Sequence, residues 1–219
     1  MNLQRIYTWG GFILIIGLII WGMIAAANKA EREKAGILPV EQVTDTDWVR
    51  GATTTQVTLI EYSDFQCPAC ALYFPLVEQL FTENSSKFRF VYRHFPLAQH
   101  QNARLAAQAS EAAGIQGKFW EMYSMLFSSQ KDWEESTDVK TIFTGYATKL
   151  GLDTSKFAID FESPEIKAKI EENVKSGLKA GVNSTPTFYL DGKKLVNNPQ
   201  TNEQFKTLIE TANSTTTNP

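Results

Sequence analysis

The stretch Val57-Thr-Leu-Ile-Glu-Tyr-Ser-Asp-Phe-Gln-Cys-Pro-Ala-Cys70 decides how the chain is read. Val57 to Tyr62 is a nearly continuous run of apolar and β-branched residues, the pattern of a central strand covered on both faces. A helix is expected to follow. Cys67 falls at its N-cap and Pro68 at its first position, where a missing N–H costs nothing. A thiol there faces unpaired backbone N–H groups and the positive end of the helix dipole. Both favour thiolate over thiol, and such sites lower a cysteine pKa from about 8.5 to roughly 3.5–7.5. Cys67 is the expected nucleophile, and Cys70, one turn on, the inward-facing thiol that resolves a mixed disulfide.

The chain has 219 residues and only these two cysteines. A structural-disulfide scaffold would need more of them, spread along the chain. A bridge closing so short a loop gains about 2 kcal/mol, against about 3 for a 15-residue loop. Stability is a poor reason for the pair, and chemistry a better one. A zinc site joining the cysteines to His94 and His100 is disfavoured by the 23-residue gap between Cys70 and His94. The histidines are expected to pack or to lie at the surface. No nucleotide, flavin or metal fingerprint is present, so no cofactor is expected beyond the cysteines themselves.

Net charge is −3, with +2 on the first 35 residues and −5 on the remainder. That argues against a nucleic-acid partner reached through a basic face. Trp9 to Ala27 is 19 residues without a charge, enough at 1.5 Å per residue for a hydrocarbon core of roughly 30 Å. Ala25-Ala26-Ala27 resembles a signal-peptide cleavage site, but the apolar region of a signal peptide is shorter, so an uncleaved anchor is expected. Lys29, Arg32 and Lys34 outnumber Arg5, and taken alone would place the following domain in the cytoplasm. Thiol–disulfide chemistry favours the opposite side, and an extracytoplasmic domain is expected.

Beyond the anchor, residues 28 to about 52 read as a spacer, with Trp48 and Val49 able to tuck against the domain. After the CPAC helix, whose pattern runs through Leu72, Leu76 and Leu80 past Pro75, Phe88 to Phe95 alternates as a second strand. Residues 101–180 read as mostly helical, with segments around Leu105–Ala113, Phe119–Phe127, Val139–Leu150 and Ile166–Leu178. The last is entered through Ser163-Pro164 and closed near Gly181. Strands Thr187–Leu190 and Lys193–Val196 flank Asp191-Gly192, a type I′ hairpin signal. A last helix spans Asn202–Thr211. Strand, helix, strand, helical block, hairpin and helix make an α/β arrangement with helices inserted between its halves.

Four stretches together resemble the DsbA-like branch of the thioredoxin superfamily: residues 57–70, YRHFPL (92–97), GKFWEMYSMLF (117–127) and GVNSTPTFYLDGKKL (181–195). The resemblance runs from about Asp47 to Glu210. It implies a thioredoxin fold with an inserted helical subdomain; the single N-terminal transmembrane helix read from the uncharged run precedes it and departs from freely soluble relatives of the family. The expected boundaries are 1–28 for the anchor and 29–52 for the spacer. The first part of the thioredoxin fold takes 53–97, the inserted helices 98–180, the second part with the cis-Pro loop 181–212, and a disordered tail 213–219.

By the same resemblance, Pro186 is the cis-proline beside the redox pair and Thr185 the family's variable residue before it. The backbone around Thr185 pairs with an extended substrate segment while Cys67 attacks. Glu61 occupies the position of a buried acid that moves protons for Cys70, and Pro75 that of a helix-kinking proline. Asp64 reads as a loop or cap residue. Pro68-Ala69 departs from the best-known oxidases of the family, which carry a histidine between their cysteines.

The implied activity is thiol–disulfide exchange with protein thiols, as an oxidase of exported proteins reoxidised by a quinone-linked membrane partner. A reductase or isomerase and a non-catalytic binding module are the alternatives. No dimerisation segment is visible, and a monomer is expected.

Overall fold

The computed structural model describes residues 16–24, 26, 40–52, 55 and 57–216. Two compact units divide near Leu38. In the first, residues 16–24 are helical; residues 9–15, 25 and 27 of the anchor predicted over Trp9–Ala27 lie outside the described residues. Among the described residues no helix is long and apolar enough to cross a membrane.

The second unit is built on a mixed five-stranded sheet: β1 (Trp48–Gly51), β2 (Thr58–Ser63), β3 (Arg89–His94), β4 (Thr187–Leu190) and β5 (Lys193–Lys194), in the order β1-β3-β2-β4-β5. β2 and β3 run parallel and the other pairs antiparallel. β2 is buried along its whole length, as its apolar run requires for a central strand. Its period-two alternation then divides the core. Leu59 joins Phe90, Tyr92 and Phe188 in one cluster, while Ile60 and Tyr62 join Val91 and Tyr189 in the other. Glu61 belongs to the Leu59 face, opposite Tyr92 on one side and Phe188 on the other.

Helix α1 (Pro68–Asn84) crosses from β2 to β3 with Pro75 inside it. It buries Cys70, Val77 and Leu80, whereas Leu72, expected on the apolar face, is 75% exposed. Cys70 and Val77 are seven residues, close to two turns, apart, so the face containing the inner cysteine meets the core and Leu72 is carried round to solvent.

The inserted helices are α2 (Ala103–Ile115), α3 (Phe119–Ser128), α4 (Gln130–Trp133), α5 (Val139–Lys149), α6 (Thr154–Phe161) and α7 (Pro164–Ala180), and α8 (Asn202–Thr216) follows the hairpin. α7 begins and ends as its sequence requires. Ser163 Oγ accepts from Ile166 N at 3.2 Å, Pro164 opens the first turn, and Gly181 closes it at φ 84°. Asp191 (φ 48°) and Gly192 (φ 80°) both take positive φ in the β4–β5 turn, as a type I′ turn demands. α4 and α6 escape the sequence reading because both are short. α6 has its cap in Asp153, whose Oδ1 accepts from Lys156 N at 2.9 Å.

Two expected boundaries move. The spacer does not extend to residue 52, because its end is the edge strand β1. Trp48 stacks on Phe119 with ring centroids 4.3 Å apart and donates through Nε1 to Glu111 Oε1 at 2.7 Å. Arg93 holds both oxygens of Asp47 at 2.8 Å and donates to the carbonyls of Glu41 and Gln42 at 3.0 Å. The partners lie 40 or more residues away, beyond the reach of a local pattern. The tail is also shorter than expected, since α8 continues through Thr216. Asn213 Nδ2 donates to Lys87 O and Ile209 O, and the hydroxyl of Thr215 donates to carbonyls of the preceding turn, so polar side chains hold this end of the helix.

Candidate active site

Cys67 is the N-cap of α1, in extended conformation (φ −71°, ψ 122°), with Pro68 in the first turn. Its N–H donates to Asp64 O at 3.0 Å, and its carbonyl accepts from Ala71 N at 3.1 Å. Cys67 is 7% exposed and Cys70 is fully buried. Both are thiols.

The two sulfurs differ sharply in proton affinity. Cys67 is lowered to about 5, first by the hydrogen bond from the Cys70 thiol. Burial opposes that shift, while Thr185 and the backbone N–H groups of Cys70 and Ala69 add to it. Cys70 is pushed well above the ordinary thiol range, first by burial, then by its hydrogen bond to Cys67 and by the negative charges of Cys67 and Glu61. The surroundings thus favour the thiolate at Cys67 and the protonated thiol at Cys70.

Glu61 is 2% exposed, six residues before Cys67 on the strand that feeds the helix. Burial raises its carboxyl to about 7, with the Arg50 guanidinium pulling the other way. Its Oε2 is buried without a hydrogen-bond partner. Arg50 comes from β1, is enclosed by Phe81 (4.3 Å), Trp120 (4.4 Å), Phe90 (5.2 Å) and Tyr123 (5.5 Å), and pairs with Glu78.

From the far end of the chain, the Thr185–Pro186 peptide is cis, and Thr185 O lies 3.4 Å from Cys67 Sγ. Asn198 Nδ2 donates to Pro186 O at 2.9 Å. Beside this loop a cavity of about 580 Å³ is lined by Tyr73, Asn183, Ser184, Pro186, Asn198 and Gln200. The fold therefore gathers Cys67, Cys70, Glu61, Thr185 and Pro186 at one end of β2 and the start of β4.

Further side chains surround the site, and Asp64 takes the loop and cap role that its sequence suggests. Asp64 is a buried junction: Oδ1 accepts from Gln66 N at 2.8 Å, and Oδ2 accepts from Leu97 N at 2.9 Å and meets His100 Nδ1 at 2.6 Å. His94 Nε2 lies 2.9 Å from Glu111 Oε1, so each histidine is engaged by a carboxylate. Arg50, Asn102 and Gln130 reach the site only through the tertiary fold.

A cysteine pair at the start of the helix that follows a buried strand, with a cis-proline beside it, is the arrangement of a thioredoxin fold. The chain belongs to the thioredoxin family, whose model, described as Thioredoxin, matches residues 43–211.

Among solved structures, a thioredoxin-like oxidoreductase from Silicibacter pomeroyi DSS-3 is 27% identical, with a TM-score of 0.66 over 78% of this chain and 94% of that one. Oxidised BdbD from Bacillus subtilis shares the fold at 22% identity and a TM-score of 0.68, over 81% and 98% of the two chains. α-DsbA1 from Wolbachia pipientis does so at 21% and 0.67, over 79% and 94%.

The chain is also 35% identical over 200 residues, 89% of its length, to part of the Na(+)/H(+) antiporter NhaA of Herminiimonas arsenicoxydans. It is 37% identical over 159 residues, 72% of its length, to part of NhaA 1 of Salinispora arenicola. The chain spans only 31% and 23% of those longer proteins.

Proposed function

We propose that this chain is a membrane-tethered protein disulfide oxidase that passes a Cys67–Cys70 disulfide to exported proteins. The observation that carries the reading is the lowered proton affinity of Cys67. Stabilising the thiolate stabilises the dithiol form, and a disulfide whose reduced product is stabilised is the stronger oxidant. The backbone N–H groups of α1 and the Cys70 thiol supply that stabilisation in place of a histidine between the cysteines.

In this mechanism a client thiolate attacks Sγ of Cys67 in the disulfide. The Cys67–Cys70 bond breaks as the client–Cys67 bond forms, and Cys70 leaves as a thiolate. High proton affinity makes Cys70 take up a proton at once, and Glu61, with its carboxyl at about 7, is the donor. A second client thiolate then attacks the client sulfur and releases Cys67 as the thiolate. The client loses two electrons and the pair gains two, which a quinone-linked membrane partner removes. The backbone flanking Pro186, open to the adjacent cavity, supports capture of an extended client segment by main-chain hydrogen bonds.

Tethering is supported by the uncharged run from Trp9 to Ala27. The similarity to part of longer proteins named as Na(+)/H(+) antiporters also supports this reading. Their transport activity belongs to their full lengths and is not assigned to this chain. The domain is placed on the extracytoplasmic side, where protein disulfides form and persist. The test is thiol trapping in intact cells with a membrane-impermeant alkylator, with and without prior reduction. A pair protected until reduced, then labelled from outside, is the expected result. A pair mostly reduced in untreated cells overturns the oxidase assignment, and one that stays unlabelled after reduction overturns the topology.

A further inference from the structure

We infer that Gln130, in the inserted helices, is a positioning residue for the Cys67 sulfur, acting through the main-chain carbonyls of Phe65 and Cys67. The inference rests on the reading of Cys67 as the attacking sulfur.

Gln130 opens the short helix α4 and is 5% exposed. Its side-chain amide donates to Phe65 O at 2.6 Å and to Cys67 O at 3.2 Å, bridging 65 and 63 residues of sequence respectively. Cys67 O also accepts from Ala71 N, the first hydrogen bond of α1. A single carboxamide therefore ties together the strand-to-helix loop and the first turn of the helix.

The residues that follow α4 are docked on the same loop. Gln66 Nε2 donates to Glu134 O at 2.8 Å, and Gln66 Oε1 accepts from Asn102 N at 2.7 Å. Asn102 Nδ2 in turn donates to the carbonyls of Glu134 (3.1 Å) and Ser136 (2.9 Å). Trp133, fully buried, anchors α4 from behind by donating to Leu126 O at 3.0 Å.

The chemical consequence follows from where the thiolate finds its donors. The N–H groups of Ala69 and Cys70, and the Cys70 thiol, belong to the first turn of α1. The Cys67 sulfur meets them only while the Cys67 backbone keeps its extended N-cap torsions. Hydrogen bonds weaken steeply as they bend, so a small rotation of this one residue lowers the worth of several of them together. Gln130 holds the carbonyls on both sides of that rotation. By this route the inserted helices set the reactivity of the redox pair without touching a sulfur.

The test compares the purified chain with Gln130→Met, which keeps the side chain's length but removes both donors. The readout is the thiolate absorbance of the reduced protein against pH, alongside the rate of alkylation at Cys67. The expected result is a Cys67 midpoint raised by about one pH unit, the equivalent of one lost hydrogen bond of tenfold weight. Phe157→Leu is the control, since Phe157 packs on Phe161 within α6, ring centroids 6.0 Å apart, and its truncation loosens the inserted helices away from the loop. Its midpoint is expected to stay at the wild-type value; an equal rise in both variants overturns the inference, because general loosening then accounts for it.

A depressed wild-type midpoint that Gln130→Met leaves unmoved overturns the Gln130 inference alone. A wild-type midpoint in the ordinary thiol range overturns the reading of Cys67 as well. Should Gln130→Met fail to fold, the wild-type chain decides. The Gln130 side-chain amide protons are expected to shift in the NMR spectrum between dithiol and disulfide forms, and their indifference to redox state overturns the inference.

Discussion

The Cys67 thiol lies 3.4 Å from the carbonyl oxygen of Thr185, across 118 residues of chain. β2 and β4 make the approach possible. Their antiparallel pairing sets Tyr62 opposite Thr187, so the residues leaving the end of β2 and those entering β4 meet at one edge of the sheet. The Cys67 sulfur and the Thr185 main chain are therefore placed by the same strand pairing.

This arrangement separates the tasks of the two cysteines. Cys67→Ser is expected to abolish thiol–disulfide exchange to background, whereas Cys70→Ser stalls at a mixed disulfide between Cys67 and the client. Mass spectrometry of the trapped species checks both. In the reduced wild type, alkylation at Cys67 is expected to fall off only as the pH drops through about 5, with Cys70 untouched at neutral pH.

Glu61 predicts the pH dependence of stability. Its folded carboxyl, at about 7, lies above its ordinary value of 4.5. The stabilisation it contributes is complete below the ordinary value and is lost as the pH rises through about 7. The loss amounts to about 3 kcal/mol. Denaturant unfolding of the disulfide form from pH 4 to 8, where burial still raises the carboxyl but the Cys67 charge is absent, is expected to show a fall of this sign, and Glu61→Gln to abolish it. In the reduced form Cys67 acts with the opposite sign. Its lowered affinity contributes stability above the ordinary thiol range that is lost as the pH falls through about 5, so the reduced chain loses less between pH 5 and 7.

Arg50 supplies the positive charge that restrains Glu61. Replacing it by methionine is expected to move the Glu61 transition further above 7, by about half a unit to one unit. It also costs about 1 kcal/mol or more through the lost aromatic enclosure. The shift must vanish in an Arg50→Met, Glu61→Gln double variant, as the pH dependence of unfolding will report.

Gly114 is where the inserted helices admit β1. A Cβ there would lie 2.3 and 2.4 Å from the Trp48 ring carbons Cζ2 and Cη2. Gly114→Ala is therefore expected to force Trp48 off its stack on Phe119 and to destabilise the domain by about 1–3 kcal/mol. A lowered Tm with altered tryptophan fluorescence would show it.

Much of the local structure was legible because its causes are local. The apolar run of β2, the Cys67-Pro68 helix start, the Ser163-Pro164 entry to α7 and the Asp191-Gly192 turn each depend on torsions and hydrogen bonds within a few residues. Of the edge strand β1, the sequence shows only that Trp48 and Val49 can tuck against the domain, because the partners that fix it, Phe119, Glu111 and Arg93, lie far along the chain. Leu72 misled for a related reason: the orientation of α1 is set by which of its faces meets the sheet, and Cys70 and Val77 claimed that face.

The sequence by itself determined that a thiol opens a helix behind a buried strand, because backbone N–H groups at a helix start and apolar alternation are written in consecutive residues. Only the tertiary structure decided what surrounds that thiol. The enclosure of Arg50, the amide bridge of Gln130 and the approach of Thr185 all join segments 60 or more residues from their partners or enclosed by rings from several elements. Such contacts depend on how the sheet pairs and how the inserted helices pack, which no local spacing encodes.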